Sequence, residues 1–546
     1  MRRESRFALA LALGMLAALL SPPGALAAGA GTTTYPSVTV GTVAPSSPVA
    51  LGPQLSAGAP VRGARRVPHL RPAALSAAVA PLVSSSPLTG APTSLLANFN
   101  GVSSRDSAVT NFGHEFEPPD QGLCVGNGFV LEMVNSAYTV YGTTGKPITG
   151  PFNVNGPFNE GLTEFTSDPR CYFDAATHTW FATILEINPE ETASTLDIAV
   201  NASGDPSKPW TVYKVNTTGL GGSTGPKHHG CPCFGDQPTL GIDSDNLYVT
   251  TNEFSLKGPQ FNGAQIYAFA KKDLVSLSPA VHFVHFDNLS IGGTVAASVQ
   301  PALTTGTPVA EFFLNSLDPT ETFDQRIGVW AMTERGAVLH GGTPKLSSVV
   351  VNSEAYGAPP KAEQKGSSSL IEPDEDRMQQ VQFIGGGIWG QLGTALTIPG
   401  DPVERAGAAW FQLKPHVAGG ALAGAQIQRQ GYVAVPGNYL LYPALQVTPS
   451  GAAAMVMTLT GSTHFPSAAY SVLAPAASSF GPVVVAAHGT TNYDPLATRW
   501  GDYSWAVIDP EGTSVWLATE YIPPKSSQTT DGARNWGTRV LDVPTG

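Results

Sequence analysis

Residues 236–254 read DQPTLGIDSDNLYVTTNEF. Asp236 opens a short apolar run, Asp243 opens a turn, a second run begins at Tyr248, and Glu253 closes it. Two apolar runs joined by an Asp/Ser/Asn turn are the sequence form of a β-hairpin. The pattern returns at 168–187, DPRCYFDAATHTWFATILEI, and at 502–521, DYSWAVIDPEGTSVWLATEY. In these copies Asp174 and Asp509 open the turn, Trp180 and Trp516 stand where Tyr248 stood, and Glu186 and Glu520 end the second run. Weaker copies start near 120, 300, 379 and 442, the first of them turning on Asn127-Gly128, a strong hairpin dipeptide. Counted along the chain, the starts predict about seven units of roughly sixty residues each.

Each unit leaves room for two more strands, such as 196–200 with 210–215 and 264–269 with 281–286. A four-stranded sheet buries both faces only against neighbours, and radial stacking provides them. The expected fold is therefore all-β, a propeller of about seven four-stranded blades; six or eight would also fit the degenerate middle copies. After Glu520 one further strand is evident, near 536–543, and 95–102 is placed to complete that last blade. Joining the first and last blades in this way removes an exposed sheet edge.

The chain ahead of the repeats is different. Residues 1–27 have a basic start (Arg2, Arg3, Arg6), an apolar run and an Ala-Leu-Ala cleavage site, the three parts of a secretory signal. Residues 28–94 are Ala, Pro, Ser, Thr and Gly with few aromatics, which predicts a flexible leader ahead of a propeller over 95–546. With 59 Gly, 47 Pro and 13% charged residues among 546, the composition is rich in turn formers. A net charge of −12 with no Lys/Arg cluster argues against a nucleic-acid partner. No segment beyond the signal is apolar enough to span a bilayer, so an exported, extracellular protein is expected.

Export makes disulfides the default for Cys124, Cys171, Cys231 and Cys233, and four cysteines allow three pairings. A bond between Cys231 and Cys233, separated only by Pro232, is expected to be strained. The cysteines lack the spacing of a zinc site, and no cofactor is expected. The acidic run Glu372, Asp374, Glu375, Asp376 could attract Ca²⁺ but does not follow a calcium-loop pattern, and it reads as a solvated loop.

In a propeller the innermost strand of each blade starts at one face of the channel, and the second strand ends at that face. The Asp that opens a unit and the Glu that closes its hairpin should then meet at the channel mouth. Candidate catalytic carboxylates are accordingly Asp168, Glu186, Asp236, Glu253, Asp502 and Glu520. Asp120, Arg170, Arg499, His228 and His229 are candidate ligand-binding residues, the histidines because they sit in a loop, 219–234, that breaks the repeat. Crowded carboxylates push one another's pKa values apart, as glycoside hydrolysis requires. The competing reading is structural, because a residue recurring in several blades serves the blade, accepting backbone N–H groups of its neighbour.

The segments 117–136, 167–174, 235–243, 248–254 and 499–512 (EPPDQGLCVGNGFVLEMVNS, SDPRCYFD, GDQPTLGID, YVTTNEF and RWGDYSWAVIDPEG) resemble exported bacterial β-propeller proteins described as sialidase-like or repeat-bearing. The resemblance spans about 117–543 and implies the fold and a carbohydrate connection. Where sialidases carry a Ser-x-Asp-x-Gly-x-Thr-Trp box, this chain has DPEGTSVW at 509–516, and no arginine triad maps onto it. Two classes of function follow: a carbohydrate-active hydrolase using carboxylates at the channel mouth, or a non-catalytic propeller binding a glycan, a protein or the cell envelope.

Overall fold

A computed structural model of the chain describes residues 32–37, 39–46, 80–89, 94–111, 113, 115–222, 225–317, 323–493, 499–525 and 535–545. The expected signal segment and most of the expected leader lie outside the described residues.

Strand pairing groups the body of the chain into four-stranded antiparallel meanders, here labelled blades I to VII. Their innermost strands are Gly122–Gly126, Phe165–Asp174, Cys233–Ile242, Gln300–Thr304, Met378–Ile384, Tyr439–Val447 and Trp505–Ile508. Each packs beside the next, and the last returns to the first, so the inner strands form a closed ring around a channel. The chain is a β-propeller. Closure is made by Ala97–Ser103, which pairs antiparallel with Gly537–Pro544 as the outermost strand of blade VII. That is the pairing the chain ends predicted.

The hairpin motif has a physical basis in two of its copies. Tyr248 donates its hydroxyl to Asp243 at 2.9 Å, and Trp516 donates its indole N–H to Asp509 at 3.2 Å. The turn aspartate thus satisfies the polar atom of the aromatic that follows it, and the aromatic body fills the space between blades. Trp180, Tyr248, Trp389 and Trp516 are all buried, the indole N–H of Trp180 without a hydrogen-bond partner. Apolar clusters run along the seams, for example Tyr248, Phe313 and Trp330 between blades III and IV.

The innermost strands begin with a left-handed residue in five blades: Asp120, Asp168, Gln237, Ser298 and Tyr442, with φ between 46° and 60°. The register against the second strand slips beside this residue in blades II, III and VI. Such a bulge turns the chain from the loop into the ring. Non-glycine residues adopt this conformation at a cost, so surrounding contacts must hold it.

Part of the expected leader is not free. Thr33–Tyr35 adds to the outer strand of blade IV, Thr39–Val43 to that of blade III, and Leu88–Thr89 to that of blade VI. Pro45 bridges to Tyr213 of blade II, and Val83 donates to Thr397, in the connection between the second and third strands of blade V, at 2.9 Å. The described parts of the segment, 32–37, 39–46 and 80–89, therefore lie along blade edges as pieces of a girdle. Composition alone understated it because its ordering is supported by unpaired N–H and C=O groups on the blade edges, not by a core of its own.

Two disulfides are present. Cys124–Cys171 stitches the inner strands of blades I and II, and Cys231–Cys233 closes within one loop. The second is the pairing expected to be unfavourable; its Cα atoms lie 4.4 Å apart, within bridging range. No described helix is long and apolar enough to cross a membrane.

Candidate functional site

The upper end of the channel, where the inner strands begin, gathers the opening aspartates as expected. It is not an open funnel. Asp120, Asp168, Arg170 and Glu520 are wholly buried, and Asp236 and Asp502 nearly so. Asp120 Oδ1 accepts the backbone N–H of Asp502 at 2.8 Å, and its Oδ2 accepts the Asn135 amide at 2.8 Å. Asp168 Oδ2 accepts the N–H of Gln237 at 3.1 Å, while its own N–H goes to Asn135 Oδ1 at 2.8 Å. Asn252 repeats the Asn135 role one blade on, accepting the N–H of Ser298 at 2.9 Å. These groups tie each blade to its neighbour across a strained strand start. For Asp120, Asp168 and Asn135 the geometry is that of a blade device.

The arginines complete the plug. Arg499 pairs with Asp502. Arg170 instead stacks on Tyr503, its Cζ 3.1 Å from the ring centroid and 4.4 Å from the ring of Trp505. None of its three nitrogens makes a hydrogen bond. Arg377, which the sequence did not single out, reaches from blade V to Gln237 of blade III and pairs with Asp374, at 3.1 Å, and Glu375. The acidic run expected as a solvated loop is therefore buried: Asp374, Glu375 and Asp376 are at most 9% exposed. Arg377 is what draws it inward, since a guanidinium satisfies several carboxylates at once.

Burial raises Asp120 well above the usual carboxylate range, and the charge of Asp168 adds to it. Burial also raises Asp168, against the pull of Arg170. Glu520 is raised well above its ordinary value by burial, then by Asp120. Neither Glu520 oxygen accepts a hydrogen bond in good geometry, although the Gln121 amide lies beside it.

Glu186 and Glu253 do not join this mouth. Glu520, at the same place in blade VII, does reach it and lies beside Asp120. Glu186 sits at the rim of blade II with Glu160, Asp197 and Lys214; Thr195 donates to Asp197 at 2.6 Å and to Glu186 at 3.3 Å. Lys214 pairs with Glu160 and, at 3.6 Å, with Asp197. Burial and then the charge of Glu160 push Glu186 up to about 7.

Glu253 belongs to the irregular loop of blade III. His228 Nδ1 lies 2.7 Å from Glu253 and its Nε2 2.7 Å from Asp287. Hydrogen bonds to Asp287 and Glu253 raise the imidazole to about 10. Asn262 donates to Glu253 at 2.7 Å, and the Cys231–Cys233 disulfide lies beside it. Cys231, Cys233 and Glu253 stand close enough to suggest a metal group, but the two sulfurs are bonded to each other. His229 is exposed; its ring lies 3.2 Å from Gln260, and its carbonyl accepts from Asn262 at 3.0 Å.

The lower end of the channel, where the inner strands turn, is open. A cavity of about 530 Å³ lies there, lined from blades I, II, III, IV, VI and VII. Tyr172, Ser244, Lys271, Thr305 and Asp509 are among its walls. Asp174, predicted as a turn former, pairs with Lys271 at 3.1 Å on its rim. Sequence reasoning placed the turns here but gave no signal for a cavity, because its walls come from six blades.

No family model and no curated protein matches this chain. Solved structures are similar only remotely. An α-L-arabinofuranosidase of Fusarium graminearum in complex with an iminosugar inhibitor is 10% identical, with a TM-score of 0.35 over 82% of this chain and 98% of that one. A Penicillium chrysogenum α-L-arabinanase complexed with arabinobiose is 11% identical, with a TM-score of 0.33 over 83% and 99%. Drosophila Semaphorin 1b is 9% identical, with a TM-score of 0.32 over 85% and 88%. Likenesses so distant assign this chain neither ligand nor activity. The sialidase expectation gains no match from them.

Proposed function

We propose that this is an exported glycan-binding propeller that takes its ligand at the lower end of the channel. The observation that carries the reading is the contrast in access: the upper carboxylates are buried in bonds between blades, whereas the lower end holds a cavity of about 530 Å³. That volume falls in the range of small-ligand sites. Its walls combine an aromatic platform, Tyr172, with hydroxyl and charged groups, Ser244, Thr305, Lys271 and Asp509, a mixture suited to sugar faces and hydroxyls. Export rests on the secretory pattern of residues 1–27. A glycan array followed by titration calorimetry tests the reading. Binding of at least one oligosaccharide, lost in Thr305→Trp with the unfolding curve unchanged, is the expected result; no glycan bound above background overturns it.

A second reading, glycoside hydrolysis, is favoured by one observation on the upper face. Glu186 is raised to about 7 beside Glu160, so one carboxyl of the group holds its proton near neutral pH. A general acid needs that state. A hydrolysis screen with Glu186→Gln separates the readings: turnover that this variant abolishes supports a hydrolase, and no consumption of any glycan removes it.

A further inference from the structure

The two disulfides differ in what they constrain. Cys124–Cys171 joins cysteines 47 residues apart on the inner strands of two blades, and both are wholly buried. Cys231–Cys233 spans a sequence separation of 2 and closes within one loop. A cross-link stabilises a fold chiefly through the length of chain it restrains in the unfolded state, and here that is Pro232 alone. The loop is also fastened without it. Cys233 donates its N–H to the Thr218 carbonyl at 2.9 Å, and Leu256 donates to that of Pro232 at 2.8 Å. Ser255 Oγ donates to the Gly230 carbonyl at 2.7 Å. Stability does not account for the bond.

We propose that Cys231–Cys233 is a reactive disulfide that oxidises a dithiol by thiol–disulfide exchange while the propeller stays folded. Access is graded along the bond. Cys231 is half-buried and follows the exposed pair His229-Gly230, whereas Cys233 is fully buried. An incoming thiolate therefore attacks Cys231 Sγ; the S–S bond breaks and its electron pair leaves on Cys233 Sγ. Asn262 Nδ2 lies 3.7 Å from that sulfur and turns an amide N–H toward the developing charge. The second thiolate of the reductant then attacks the reductant's own sulfur in the mixed disulfide and expels Cys231. Two electrons and the two thiol protons have passed to the cysteines, and the reductant carries the disulfide. Glu253 Oε1, 3.9 Å from Cys231 Sγ, is an acceptor that only the reduced thiol can use. Because Glu253 also holds His228 at 2.7 Å, the redox state of the loop bears directly on that pair.

The test treats the folded full chain with about 1 mM dithiothreitol, traps free thiols with N-ethylmaleimide and maps them by peptide mass spectrometry. Cys231 and Cys233 are expected to be labelled together, at least about tenfold faster than Cys124 and Cys171. Oxidised glutathione added to Cys233→Ser should give a mixed disulfide at Cys231. The double variant Cys231→Ser/Cys233→Ser should unfold within about 3 °C of wild type, because so short a loop restrains little chain. Labelling of Cys231 and Cys233 no faster than that of Cys124 and Cys171 overturns the proposal. A larger fall in the midpoint of the double variant, or its failure to fold, also overturns it, since the bond would then be a structural staple.

Discussion

The two ends of the channel are built by the same strands and have opposite characters. At the upper end five inner strands carry a left-handed residue near their start, and two of these, Asp120 and Asp168, accept a backbone N–H of a neighbouring blade. At the lower end the inner strands of blades II, III and VII finish in an Asp turn; Asp509 accepts from Glu511 and Trp516 within its own turn, whereas Asp174 reaches Lys271 of blade III. Polar bonds between blades close the upper mouth, and a cavity occupies the lower one. A repeated residue therefore marks assembly at one end, while the concave space that a ligand needs lies at the other.

Three substitutions sharpen this contrast. Arg377→Met should be the most damaging, because it strands the buried carboxylates of Asp374 and Glu375; a loss of about 3–5 kcal/mol in denaturant unfolding is expected. A loss below about 1 kcal/mol would mean the mouth is not the stabilising end.

Glu132 gives the next effect, through pH. It accepts the N–H of Val102 from the closing strand at 2.8 Å, and burial raises it to about 7. The folded state then holds a proton that the unfolded chain releases near pH 4.5, so stability falls as pH rises from about 4.5 to 7. The contribution across that window is about 3 kcal/mol, and Glu132→Gln should flatten it. His228, raised to about 10, acts in a separate window: its contribution is complete below about pH 6.5 and is lost as pH climbs through 10. A Glu132→Gln profile parallel to wild type between pH 4.5 and 7 would contradict the assignment.

The smallest effect is expected at the lower end. Asp509→Ala removes two local bonds in a half-buried turn and should cost about 1 kcal/mol. A cost rivalling that of Arg377→Met would erase the distinction between the ends.

The fold was legible because its determinants are local. The Asp turn with its aromatic, and the position where each inner strand starts, repeat in the sequence, and the pairing of 97–103 with 537–544 follows from one blade lacking a strand. The mouth was legible in membership and not in state. Asp120, Asp168 and Asp502 were placed together, but the same end of the channel is also crossed by Arg377, reaching from blade V to Gln237 of blade III, a contact 140 residues apart in sequence. Glu186 and Glu253 turn instead to partners that the repeat does not encode, Thr195 for the first and His228 and Asn262 for the second. The girdle was missed because residues 33–43 draw their order from edges that lie hundreds of residues downstream.

The closing strand has a consequence for how the molecule comes into being. Phe99 pairs with Val540, so the first strand of the propeller body to leave the ribosome is the last to find its place. Until the final forty or so residues emerge, the ring stays an open arc with blade VII lacking its inner hairpin. Gly101 of that waiting strand lies against Glu132, whose carboxylate would have to shift to admit a Cβ. Residues 97–103 are thus a clasp that is fastened last, against a carboxylate that blade I has already buried.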